Sequence, residues 1–250
     1  MTSNKQPTAA MIVIGNEVLS GRTKDKNIGW VAEQLEQNGI KLVEARIIRD
    51  DQETIIYTIK EIYKLVDYVF TSGGIGPTHD DITAESVSKA FNLEYGYHKE
   101  AFSILEKYYK PSEFSEGRKK MAMMPVTAKL ILNPTSGAPG FYVENVFSLP
   151  GVPSILKSML GGLDHLITGG APILSHTINL RTVESEIAKS LTQVQNNNQD
   201  VEIGSYPFFR AGKLGVSIVV RSTDKDKIDT CNNEILKFVE EQKIQIVNEV

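Results

Sequence analysis

The strongest constraint on the fold is a regular alternation of strand-like and helix-like segments near the start of the chain. Residues 8–15, 40–48 and 67–74 are short, mostly apolar runs that are typical of buried strands. Residues 27–39 and 51–66 lie between them and carry apolar side chains at helical spacing. Strands and helices that alternate at this spacing predict an α/β domain with three layers, in which a parallel-type sheet has helices on both faces.

The pattern changes further along the chain. Residues 98–125 are less regular and predict helical segments whose Lys and Glu side chains form a solvated face. Residues 129–163 predict a strand, a turn-rich loop, a hairpin-like pair, a Gly-Pro loop and a helix. Small residues and proline around residue 170 predict a boundary between a first domain, residues 1–170, and a second domain, residues 171–250.

The second domain predicts the order strand, helix, strand, strand, helix. This order is typical of a small ferredoxin-like α+β domain. We therefore expect a small sheet of its own in residues 171–250, separate from the sheet of the first domain.

Composition excludes several classes of protein. The net charge of −4 and the lack of a basic stripe argue against a nucleic-acid partner. The single cysteine excludes an intramolecular disulfide and a cysteine-based zinc site. No apolar run approaches the roughly 20 residues of a membrane helix, and the N-terminus lacks the features of a signal peptide. We expect a soluble cytoplasmic protein with no membrane partner.

Three loops would meet at one edge of the predicted sheet. They comprise residues 15–22, 49–53 and 72–81, and each follows a predicted strand. Ligands of open parallel sheets bind outside the carboxyl ends of the strands. A site built from residues distant in sequence is therefore expected at this edge.

The third loop, "SGGIGPTHDD", has the features of an anion site. Gly73, Gly74 and Gly76 allow successive N–H groups to point into one concavity, and the positive end of a helix follows. It is neither a Walker A motif nor a dinucleotide-binding Gly-x-Gly-x-x-Gly fingerprint. The alternative is a structural turn in which Asp80 or Asp81 caps the following helix.

Carboxylates beside a phosphate site imply a neutralising cation. Mg²⁺ held by one or two carboxylates and by phosphate oxygens would serve. The available ligands are Glu17, Asp50, Asp51, Asp80 and Asp81.

Other features are weaker on their own. His79 could contact phosphate or metal, or be merely solvated. Residues 117–120, "GRKK", could bind phosphate or form a solvated charge run, and residues 133–141 and 149–154 are substrate loops or tight turns. Trp30 is expected to pack a helix.

Together these motifs resemble a known family. Residues 72–83 are similar to the signature of the N-terminal domain of competence/damage-inducible protein A (CinA), which belongs to the MoaB/Mog-like, molybdopterin-binding fold family. Residues 14–27, 49–51, 124–141 and 149–154 support the resemblance in the expected order. We expect a short form without the C-terminal amidase domain of full-length members.

The resemblance implies a fold of the MoaB/Mog kind and a rim that binds a phosphorylated nucleotide or pterin. It further implies Mg²⁺-dependent cleavage of the pyrophosphate of ADP-ribose or FAD, and self-association as a homo-oligomer. The implied catalytic residues are Asp50, Asp80 and Asp81, and the implied metal ligands are these three with Glu17. The implied ligand-binding residues are Ser72, Gly73, Gly74, Gly76, Thr78, Asn133, Ser136, Gly137, Pro150 and Gly151. Arg118 or Lys119 would offset charge on the leaving phosphate.

The chain departs from the family pattern at three places. Asn16 stands where the family usually has Asp, Ser136-Gly137 stands where Gly-Thr is common, and Ile155 stands where Glu is usual. Two carboxylates are thereby lost near the expected site. Three hypotheses therefore stay open: a metal-dependent nucleotide pyrophosphatase, a molybdopterin-binding protein of cofactor biosynthesis, and a non-catalytic nucleotide-sensing module.

Overall fold

The chain divides into two compact units, Met1–Gly170 and Ala171–Val250. The computed structural model describes residues 6–163, 165–210 and 212–247.

The large unit contains eight strands and seven α-helices among its described residues. The strands are β1 (Thr8–Ile14), β2 (Lys41–Ile48), β3 (Tyr68–Ser72), β4 (Tyr95–Tyr97), β5 (Met123–Pro125), β6 (Lys129–Ile131), β7 (Gly140–Val143) and β8 (Val146–Leu149). The helices are α1 (Asn16–Leu19), α2 (Asn27–Gln37), α3 (Gln52–Ile62), α4 (Thr83–Ala90), α5 (Lys99–Tyr108), α6 (Glu116–Lys120) and α7 (Pro153–Leu160).

The main sheet has six strands in the order β2-β1-β3-β8-β7-β6. Strands β2, β1, β3 and β8 are parallel, whereas β7 is antiparallel to both of its neighbours. Four of the six strands are thus parallel, as predicted, and the hairpin-like pair predicted in residues 129–163 adds the antiparallel strand β7, so that the sheet as a whole is mixed. The reason is the tight turn between β7 and β8, where Glu144 has a positive φ of 51°, because a connection this short joins antiparallel strands only.

Strand β1 explains why helices cover both faces of this sheet. Its side chains alternate between two hydrophobic clusters, so that the whole run is buried. Ile12 packs with Ile55 and Ile59 of α3 on one face. Met11 packs with Leu35 of α2 on the other face. Burying one such side chain contributes about 1.5–3 kcal/mol.

Residues 98–125 contain more regular structure than the sequence predicts. Helices α5 and α6 flank a 3₁₀ turn at Pro111–Glu113, and β5 then pairs with β4 as a two-stranded antiparallel sheet. Met124 is buried in the core, and Trp30 packs against the cluster of apolar side chains on the α2 side of the sheet, as predicted.

The small unit follows the predicted order of elements. These are β9 (Leu174–Leu180), α8 (Glu184–Asn197), β10 (Glu202–Arg210), β11 (Lys213–Ser222) and α9 (Lys225–Glu241), and the strands form an antiparallel sheet in the order β10-β11-β9. Side chains of β9 and β11 are buried against both helices. Cys231 of α9 is fully buried, and burial raises the pKa of its thiol to about 11.

Within the part of the chain that the structure describes, no helix is long and apolar enough to cross a membrane.

Candidate functional site

A cavity of about 650 Å³ lies at the carboxyl edge of the large sheet. Strand β6 runs in the same direction as β8, because both are antiparallel to β7. The loops after β1, β2, β3, β6 and β8 therefore meet at this edge, and all five contribute to the cavity. The predicted residues that line it are Glu17, Asp50, Gly73, Gly74, Gly76, Asp80, Asp81, Asn133, Ser136, Pro150 and Gly151.

Three predicted residues, Ser72, Thr78 and Gly137, do not line the cavity. Much of its surface comes instead from apolar residues that the sequence did not single out, namely Ile14, Ile75, Pro77, Met121, Ala138, Pro139, Val152 and Pro153. Ile155, which replaces the usual glutamate of the family, also lies on this surface. A mixture of apolar walls with a few polar groups is typical of small-molecule sites of this size.

The loop after β3, residues 73–81, forms one wall of the cavity, which we call the open wall. Gly73 and Gly74 have positive φ angles of 106° and 69°, a backbone conformation that side chains with a Cβ rarely adopt. Within the described parts of the chain, the N–H groups of Gly74, Ile75 and Gly76 donate to no acceptor. Three adjacent amides at the cavity surface are thus available to an anion.

The Gly73 amide is not available, which corrects its predicted role as a phosphate donor. Its N–H donates to the Leu149 carbonyl at 3.0 Å and so extends the pairing of β3 with β8. The amides that are available to an anion are therefore those of Gly74, Ile75 and Gly76, which we call the cradle.

The carboxylates of the site lie on two sides. Asp50 follows β2 and accepts an N–H from Asn16 at 2.8 Å. Burial raises the pKa of Asp50, the Asn16 hydrogen bond lowers it, and the charges of Glu17 and Asp80 raise it further. The charges of Glu17 and Asp80 therefore both act on the Asp50 carboxylate.

Asp80 has the opposite environment. The nearby Thr78 hydroxyl lowers the pKa of Asp80, and the backbone amide of Asp80 and the charges of His79 and Lys120 add to this effect. Asp80 is exposed, so an ionised carboxylate stands at the mouth of the cavity. His79 is also exposed, with a side chain 98% accessible and 3.9 Å from Asp80.

Neither Asp80 nor Asp81 caps the following helix, contrary to the structural alternative. The cap position of α4 is Ile82, which makes no side-chain bond. Asp81 Oδ2 instead accepts the Thr78 N–H at 2.7 Å and closes a turn within the open wall. Asp51 is the residue that caps a helix, since it accepts the Thr54 N–H at the start of α3.

The described carboxylates do not form a preassembled metal centre. Within residues 6–163, 165–210 and 212–247, no three His, Cys, Asp or Glu side chains lie close enough together to hold a metal ion. Any cation at this edge would need ligands from a bound phosphate as well.

The basic residue at the open wall is Lys120 rather than Arg118 or Lys119. Lys120 Nζ donates to the Thr78 and Asp81 carbonyls. Arg118 donates to the Glu113 carbonyl and stacks over Tyr109, and Lys119 pairs with Glu116. The predicted role of Arg118 or Lys119 beside a leaving phosphate is therefore not supported by their positions.

The loop after β6, residues 133–139, also lines the cavity, and we call it the closed wall. Asn133 Oδ1 accepts the Thr135 and Ser136 amides at 3.0 Å each. Its Nδ2 donates to Ser136 Oγ at 2.7 Å and to the Ala138 carbonyl at 2.8 Å. Gly137 has a positive φ of 75° and lies against the Tyr108 ring, away from the cavity lining.

Two family models match this chain. One is described as "Probable molybdopterin binding domain" and matches residues 10–174. The other is described as "FAD synthase, middle domain" and matches residues 172–248.

Individual proteins show the same relationship. A protein of Archaeoglobus fulgidus is 34% identical over 218 residues, which cover 87% of this chain and 92% of that protein. A CinA-like protein of Syntrophus aciditrophicus is 30% identical over 251 residues, which cover 94% of this chain and 58% of that protein. The crystal structure of the protein CinA with unknown function from Thermoplasma acidophilum has a TM-score of 0.57 at 30% identity and covers 63% of this chain and 97% of that one.

Proposed function

Because the chain belongs to the family of probable molybdopterin-binding domains, as its sequence predicts, we propose that the cavity binds a phosphorylated nucleotide or pterin. For a nucleotide with a pyrophosphate bridge, we propose metal-dependent hydrolysis of that bridge. The observation that carries the proposal is the set of three unbonded amides, those of Gly74, Ile75 and Gly76, at the cavity surface.

The amides support phosphate as the bound group. Partly buried N–H groups are rarely left without an acceptor, and phosphate oxygens satisfy several of them at once. The apolar residues beside them suit a fused heterocycle such as pterin, flavin or adenine. The family description that matches the large unit names molybdopterin, and the one that matches the small unit names FAD synthase. Molybdopterin and FAD each combine a fused ring with phosphate.

The carboxylates fit a divalent cation that arrives with the phosphate. Asp80 and either Asp50 or Glu17 would supply protein ligands, with the remaining positions filled by phosphate oxygens and water. When bound, such a cation offsets phosphate charge and lowers the pKa of a coordinated water.

The backbone amides and the carboxylates of the chain have separate roles in the proposed reaction. The amides of the open wall fix the bridging phosphates, and Asp50 orients the attacking water and accepts one of its protons. The water oxygen forms a bond to one phosphorus, and the bridging P–O bond breaks. ADP-ribose would thus give AMP and ribose 5-phosphate, with the second proton released to solvent.

A non-catalytic binding module is the second candidate. It is favoured by the absence of a three-carboxylate group from the described residues and by Ile155 on the cavity surface. Binding without turnover, undiminished in EDTA, would support this candidate.

The test is release of AMP from ADP-ribose and from FAD, with and without Mg²⁺, Mn²⁺ or Co²⁺. We expect metal-dependent release that falls about 100-fold or more in Asp80→Asn, because a cation ligand is lost. Asp200→Asn is the matched control, since Asp200 is also an exposed carboxylate of lowered pKa but pairs with Lys227 in the small unit. Full activity of Asp80→Asn would contradict the hydrolytic mechanism.

A further inference from the structure

Asn27 is a buried polar residue beside the cavity. It ends the motif of residues 14–27, but it is neither among the predicted site residues nor part of the cavity lining. It is the first residue of α2, and its side chain is largely inaccessible, with 4% of the residue exposed. Its own amide and that of Ile28 donate to Asp25 Oδ1 at 3.2 and 2.9 Å. The start of the helix is therefore fixed, and with it the position of the Asn27 side chain.

The Asn27 side chain joins two loops that are distant in sequence. Nδ2 donates to Ser72 Oγ at 2.9 Å and to the Gly151 carbonyl at 2.9 Å. Ser72 immediately precedes the open wall, and Gly151 belongs to the loop between β8 and α7. One amide group thus holds the ends of β3 and β8 together from the side of α2.

The two loops are packed backbone to backbone at this point. A Cβ added to Gly151 would lie 3.4 Å from Gly73 Cα. A small change in their separation would therefore move the amides of Gly74 to Gly76 directly.

The side-chain oxygen of Asn27 has no hydrogen-bond donor within the part of the chain that the structure describes. Among the described residues, Oδ1 of Asn27 is buried and makes no hydrogen bond. A buried amide oxygen without a partner disfavours the folded state, so the side chain is poorly suited to a purely stabilising role. Its two N–H bonds are the part that shapes the site.

We infer that Asn27 is a positioning residue that sets the distance between the open wall and the Gly151 loop and so preorganises the phosphate cradle. This inference rests on the proposed function. Loss of the two Asn27 hydrogen bonds leaves the fold intact but allows the three free amides to move apart, so that phosphate is bound more weakly.

The experiment compares the full chain with Asn27→Asp, which keeps the shape but places a carboxylate against the Gly151 carbonyl. Affinity for ADP-ribose is measured by calorimetry in the presence of Mg²⁺. Exchange of two hydrogen-bonded amides is followed without ligand: that of Gly73, which donates to the Leu149 carbonyl, and that of Thr83, which donates to the Gly74 carbonyl. We expect about tenfold weaker binding and faster exchange at both amides. Ser72→Ala, which keeps the Gly151 bond, should give a smaller effect of the same kind, and it replaces Asn27→Asp if that variant does not fold.

Asn145→Asp is the matched control. Asn145 also donates both amide protons to carbonyls, those of Tyr63 and Val66, but it lies at the opposite end of the sheet. It should lower the unfolding temperature without changing affinity or exchange at the cavity. Unchanged exchange and affinity in Asn27→Asp or its substitute would overturn the inference. If the parent protein does not bind ADP-ribose, that result counts against the proposed function, while the exchange measurement still decides the role of Asn27.

Discussion

The two walls of the cavity use their polar groups in opposite ways. The closed wall satisfies its amides internally, since those of Thr135, Ser136 and Gly137 all donate to Asn133. The open wall leaves three consecutive amides without an acceptor among the described residues. The difference fits the proposed function, in which the open wall binds the phosphate and the closed wall is its frame.

The largest effect on this contrast is expected from Gly74→Ala. A methyl group there would overlap Thr83 Oγ1, and the φ of 69° is unfavourable for alanine. We expect the free energy of unfolding to fall by about 1–3 kcal/mol and ADP-ribose affinity to fall about 100-fold. Denaturant unfolding and calorimetry measure the two quantities.

Gly21→Ala provides the control for backbone strain. Gly21 has a φ of 75°, but a Cβ there would meet nothing within 4 Å. It should destabilise the protein without changing affinity. Equal affinity in Gly74→Ala and the parent would break the distinction between the walls.

A smaller effect on binding, but a clear effect on stability, is expected from Asn133→Ala. This change removes the four hydrogen bonds of the Asn133 side chain, so we expect a loss of about 2–4 kcal/mol in the free energy of unfolding. Because the wall is a frame, affinity should fall far less than in Gly74→Ala. In Ser158→Ala, which removes one bond from Thr135, the loss should be below about 1 kcal/mol. A larger affinity loss in Asn133→Ala than in Gly74→Ala would reverse the assignment of the walls.

The smallest effect concerns Asp50, the cavity carboxylate that follows β2. The pKa of Asp50 is raised in the folded protein, so the contribution of Asp50 to stability is greatest below the unfolded pKa of about 3.9 and is lost as pH rises through the folded value. Asp50→Asn should therefore be slightly more stable than the parent at pH 7 and equally stable near pH 3. Urea unfolding at the two pH values, without divalent cations, measures the difference.

Asp51→Asn should give the opposite sign. The Thr54 hydroxyl and amide lower the pKa of Asp51, so its contribution is present at neutral pH and lost as pH falls. This variant should be less stable than the parent at pH 7, with a difference that shrinks in acid. The same sign for both neighbours would show that the cavity does not disfavour charge on Asp50.

The sequence predicted the elements that create the site better than the contacts that shape it. Strand runs with glycine after them identify the loops at the carboxyl edge, because strand direction alone brings those ends together. The resemblance to CinA and to molybdopterin-binding domains is confirmed by the family match and by the relatives. Self-association and the metal stay predictions.

What the sequence missed depends on packing between distant segments. Asn27 reaches a residue 124 positions away, and Lys120 reaches one 42 positions away. Neither partner can be identified from local pattern. In the case of Lys120, neighbouring side chains such as Arg118 have the same charge and a similar reach. The short strands β4 and β5 likewise have three residues each, too few to show a period.

The buried cysteine of the small unit makes the molecule convenient for spectroscopy. With its pKa near 11 and no exposed surface, Cys231 has almost no reactive thiolate at neutral pH. A maleimide dye attached to a cysteine introduced on either wall should therefore report from that position alone, with the native residue left in place. Fluorescence could then follow changes in the surroundings of that wall in solution as phosphate compounds are added.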